Sequence, residues 1–79
     1  MRINILLNMG TRKDSVYKVV EECLSKHGIK LLNVKTTKLD TGARFMLFTT
    51  SAVHRNDLQI ALNEISVGLR GKIAEMRVF

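Results

Sequence analysis

Cys23 and His27 stand four residues apart, a spacing that brings a thiol and an imidazole to one face of a helix. A metal ion needs three or four such ligands, and the other histidine, His54, falls far along the chain before a second helical pattern. Metal binding is therefore not expected, and Cys23 reads as a structural thiol in an apolar stripe. A nucleophilic site needs an activated Ser or Cys beside a base and an orienting carboxylate. The acids are few (Asp14, Glu21, Glu22, Asp40, Asp57, Glu64, Glu75) and fall mostly on solvent faces or turns. No catalytic residue is assigned and no cofactor is expected, so the reading is that of a non-enzyme.

The run Gly10-Thr11-Arg12-Lys13 has a single glycine, so it is not a phosphate loop. It does precede a helix and carries two cations, which is a setting for weak anion binding. The net charge is +6, with 13 basic residues scattered along the chain. Such a balance favours acidic partners, but no block of like charge marks a nucleic-acid site. The third strand, Gly42–Phe48, holds only part of the aromatic platform that stacks RNA bases, and Asn4 stands where the first strand should offer an aromatic. RNA binding is accordingly disfavoured.

The elements around these residues read clearly. Ile3, Ile5, Leu7 and Met9 alternate over residues 2–9, giving a half-buried strand that Gly10 breaks. Thr11, with Asp14 three residues on, resembles a helix N-cap. Val16, Val19, Val20, Cys23 and Leu24 form one apolar stripe of a helix of about four turns, which His27-Gly28 ends. Residues 29–38 read as a second strand, Asp40-Thr41-Gly42 as a hairpin turn, and residues 43–52 as a third strand, apolar on both faces and so central. A second helix begins near Asn56, with Leu58, Ala61, Leu62, Ile65 and Leu69 as its core stripe. Gly68 and Gly71 mark its fraying and exit. Ala74, Met76 and Val78 alternate in a last strand.

The order is βαββαβ. Right-handed crossovers put both helices on one face of a four-stranded antiparallel sheet, an α+β ferredoxin-like fold in a single domain, residues 1–79. The other sheet face then has no cover within the chain. Either Phe45 and Leu47, or Met46 and Phe48, lie on it, with Leu6 or its neighbours, and Ile60 and Val67 lie opposite the core stripe of the second helix. Exposed apolar side chains of this kind mark an interface. Phe45, Met46, Phe48, Ile60 and Val67 are the interface candidates, for a homodimer or for docking on a parent protein. A chain of this length buries only about 60% of its unfolded surface, so a partner would also stabilise it. With one cysteine, no apolar run of membrane length and no visible signal peptide, the expected location is cytoplasmic, with membrane association only through a parent protein.

The strand–turn–helix order, the helix exit Cys23–Val34 and the ending Gly71–Val78 resemble an ACT-like regulatory domain over about the full length. The resemblance implies a small-molecule effector, an amino acid or a nucleotide, at the first strand–helix turn, here Gly10, Thr11, Arg12, Lys13 and Ser15. The pattern departs from the family there: Arg12 stands at an acidic position and Ser15 at a glycine that lets ligand approach the backbone. Amino-acid binding is therefore not carried over. This degenerate turn is similar to the C-terminal soluble domain of MgtC/SapB-family membrane proteins, which implies a regulatory tail of a membrane protein. The ACT domains of (p)ppGpp synthetases and the small regulatory subunits of acetolactate synthase are similar as well.

Overall fold

Apolar residues at period two become strands and those at helical spacing become helices. The computed structural model describes the whole chain, Met1–Phe79. It runs β1 (Arg2–Leu7), α1 (Lys13–Lys26), β2 (Leu31–Lys38), β3 (Arg44–Thr50), α2 (Arg55–Gly68) and β4 (Ile73–Val78). The sheet order is β2-β3-β1-β4 and every neighbouring pair is antiparallel. This is the expected ferredoxin-like arrangement, with β3 and β1 in the middle.

Directly opposed residues of antiparallel strands share a sheet face. Ile3 lies opposite Phe48 and Ile5 opposite Met46, and all four are buried beneath the helices. Val16, Val20 and Leu24 of α1 and Leu58, Ala61 and Ile65 of α2 close the core over them. The alternate residues, Asn4, Leu6, Phe45 and Leu47, face away.

Four local readings are corrected. Met9 does not continue the β1 alternation: the strand ends at Leu7, and Met9 is 84% exposed in the turn. Thr11 is not the cap of α1. Arg12 holds that position without a side-chain cap bond, while the Thr11 hydroxyl donates to the Lys72 carbonyl at 2.8 Å. In β4 the register slips between Leu6 opposite Glu75 and Leu7 opposite Ile73, leaving Ala74 as a bulge. Ile73 and Met76 consequently both pack on the core, and Ala74 is exposed. Gly68, finally, is a packing residue. It remains helical, and a Cβ there would lie 2.8 Å from Val19 Cγ1, so its bare backbone lets α2 approach α1.

Candidate functional site

The sheet face opposite the helices carries a short apolar row. Leu6 of β1 lies opposite Phe45 of β3, and Leu47 is two residues further along β3. All three are half-buried, and no helix covers them. The surround is polar: Thr37 lies opposite Phe45, Lys35 and Asn4 lie opposite Leu47, and Glu75 opposite Leu6. Phe45 stands between two shallow depressions. One, of about 330 Å³, is bounded by Lys35, Leu47 and Phe79; the other, of about 250 Å³, by Leu6, Glu75 and Arg77. Glu75 and Arg77 are paired on this face, at 2.6 Å.

The five interface candidates do not form one patch. Met46 and Phe48 are 2% and 0% exposed beneath the helices, so neither is available to a partner. The sequence left the two faces of β3 equivalent because both are apolar; the pairing of Phe48 with Ile3 and of Met46 with Ile5 decides between them. Ile60 and Val67, 49% and 65% exposed, lie on the outer side of α2, across the molecule from Phe45. Phe45 alone of the five belongs to the open face. Leu6 and Leu47 join it.

Of the first-turn candidates, Gly10, Thr11 and Arg12 line a cleft of about 450 Å³, whereas Lys13 and Ser15 sit in the first turn of α1 outside it. The opposite wall is the β2–β3 hairpin, with Lys38, Gly42 and Arg44. The turn residues themselves did not reveal these three, since only strand register brings them here. Counting back in twos from Phe48 would have shown Arg44 on the helix side of the sheet.

His27 is engaged with α2 and not with Cys23. Burial raises the Cys23 thiol above its ordinary value, with Glu64 adding to the effect, and a protonated thiol is a poor nucleophile and ligand. Nowhere do three His, Cys, Asp or Glu side chains gather as a metal site would require. His27 turns instead to α2, where its Nε2 lies 3.0 Å from Glu64 Oε2. The approach is oblique to the ring N–H, so this is a close polar contact more than a linear hydrogen bond. Lys26 Nζ reaches the other carboxylate oxygen at 3.4 Å. The His27 contact, with help from Lys26, holds the Glu64 carboxyl below the usual range against a smaller opposing effect of desolvation. The cluster ties the end of α1 to α2.

No protein-family model matches the chain, and no curated protein matches it in sequence. Among solved structures, the chain is similar to the C-terminal domain of the MgtC protein from Mycobacterium tuberculosis. The TM-score is 0.75 at 10% identity, over 96% of this chain and 80% of that one. It is also similar to the de novo designed protein Ferredog-Diesel, with a TM-score of 0.55 at 23% identity over 96% and 79%. At these identities the likeness is one of fold. That a designed protein shares the fold shows how little the fold by itself says about function. No helix is long and apolar enough to cross a membrane.

Proposed function

We propose that this domain is a non-catalytic regulatory module that works by contact through its open sheet face, as the C-terminal domain of an MgtC-like protein. The observation that carries the reading is the uncovered row Leu6, Phe45 and Leu47 in the middle of the sheet. The two central strands thus carry three apolar side chains, beside Asn4, on the side that the chain's own helices leave bare. Covering a side chain of this size is worth about 1.5–3 kcal/mol. The domain has reason to gain from such cover, because only 14 of its 79 residues are buried in isolation.

A second copy of the chain is the occupant that fits best. Phe45 lines two adjoining hollows, so two faces related by a two-fold axis can each lodge Phe45 beside the other's. Glu75 and Arg77 give the rim both signs of charge, which a self-complementary contact can use. In a longer protein, a neighbouring domain is the other candidate. The resemblance to the MgtC C-terminal domain supports the module reading through fold alone. The test is sedimentation equilibrium over a concentration series, comparing the wild type with Phe45→Asp. Reversible dimerisation that Phe45→Asp abolishes supports the proposal.

A further inference from the structure

We infer that the cleft between the β1–α1 turn and the β2–β3 hairpin binds a small polyphosphate anion through Arg12, Lys38 and Arg44. This goes beyond the docking reading and does not depend on it, since the cleft and the open face involve different residues.

The argument starts from register. Arg44 lies opposite Leu7 on one side and opposite Lys38 on the other. The three form one row across the sheet, and opposed residues share a face. Leu7 is buried on the helix side, so Arg44 and Lys38 project on that side too. The next rows inward on that side, Ile5–Met46 and Ile3–Phe48, are core. At the sheet's end the pattern changes from apolar to cationic at the two positions beside the start of α1. Arg12, the residue that caps this helix, completes a set of three cations from three elements around one cleft.

Nothing within the protein neutralises them. No carboxylate lines the cleft, and none of the chain's ion pairs includes Arg12, Lys38 or Arg44. Asp14 and Asp40 are close in sequence, but neither reaches the lining. The first turn of α1 has no side-chain cap, so its positive end adds to the same field. An α-amino acid would need an acceptor for its ammonium group, and the set of charges here is wrong for it. A chain of phosphates, acceptor-only and multiply charged, matches three cationic donors that line one cleft.

The walls are fixed in advance. Asn8 Nδ2 donates to the Gly71 carbonyl at 3.1 Å, and the Thr11 hydroxyl donates to the Lys72 carbonyl, so the β1–α1 turn is bolted to the turn before β4. On the other side, the amide of Leu39 donates to the Ala43 carbonyl at 2.8 Å and closes the hairpin. Gly10 and Gly42, with φ of +82° and +90°, make the two tight turns that bring these walls together.

The experiment is an amide-resolved NMR titration of the full chain at low ionic strength with pyrophosphate, and in parallel with ATP and with adenosine. Saturable shifts at Gly10, Thr11, Gly42 and Arg44, with a Kd of about 1 mM or tighter, are expected for pyrophosphate. Lys38→Gln with Arg44→Gln should weaken binding about tenfold or more, while Lys18→Gln with Lys26→Gln should leave it unchanged. ATP binding as well as pyrophosphate, with adenosine silent, supports recognition of the phosphates themselves. The inference is overturned by the absence of saturation at about 10 mM, by shifts spread evenly over the surface lysines, by equal losses in the two double variants, or by adenosine binding as tightly as ATP.

Discussion

The two faces of the sheet are built from the same strands by the same alternation, yet they end in opposite conditions. On one, Ile3, Ile5, Met46 and Phe48 are sealed beneath α1 and α2. On the other, Leu6, Phe45 and Leu47 lie in an apolar row that nothing within the chain covers. Residue type does not separate them, because phenylalanine, leucine and methionine alternate through β3 without regard to face. Helix placement does. Both crossovers lead to the same side, so one face becomes interior and the other stays open.

Substitution in the two phenylalanines, three residues apart, should break this comparison most sharply. Phe48→Ala opens a void in the sealed core and should cost about 3–5 kcal/mol, enough to unfold a domain of this size. Phe45→Ala should cost the isolated monomer about 1 kcal/mol or less, the scale of a cross-strand contact. Urea denaturation of both variants at dilute protein concentration measures the difference, and similar losses would mean that the open face is structurally part of the core.

A smaller effect is expected at the helix pair that covers the sealed face. Gly68→Ala forces a methyl against the stiff side chain of Val19. The strain should outweigh the gain of about 1 kcal/mol from alanine's helix propensity and leave a net loss of about 1 kcal/mol. Combining Gly68→Ala with Val19→Ala should show less destabilisation than the sum of the single changes, as a double-mutant cycle of unfolding free energies would register.

The smallest effect concerns Glu64, whose carboxyl is held below its ordinary value of 4.5, first by His27 and further by Lys26. A depressed carboxylate stabilises the fold above the unfolded value, and the contribution disappears as pH falls through the folded one. Glu64→Gln should therefore lower the denaturation midpoint slightly near neutral pH and not at all in strong acid. Its stability should fall less steeply on acidification than that of the wild type.

Much of the fold was legible because its signals are local. The stripe from Val16 to Leu24, the His27-Gly28 stop and the Asp40-Thr41-Gly42 hairpin each depend on neighbours in sequence, and each stands where expected. What escaped depends on distant pairing. The bulge at Ala74 arises from how β4 meets β1, whereas alternation alone put Ala74 on the face of Met76 and Val78. Gly68 read as a weak point because its role is defined by Val19, some fifty residues earlier. The face of β3 turned to solvent, and the meeting of Lys38 and Arg44 with Arg12, likewise required the strand register. The candidate site was thus legible in kind, as a bare sheet face and a cationic turn, and its membership was not.

The most direct test is the mass of the particle in solution. Sedimentation equilibrium of the wild-type chain should show reversible dimers forming as concentration rises, and a folded Phe45→Asp variant should stay monomeric throughout. A wild-type chain that remains monomeric up to about 1 mM, or a dimer indifferent to Phe45→Asp, would contradict the assignment of the open face as the surface through which two copies of this domain meet.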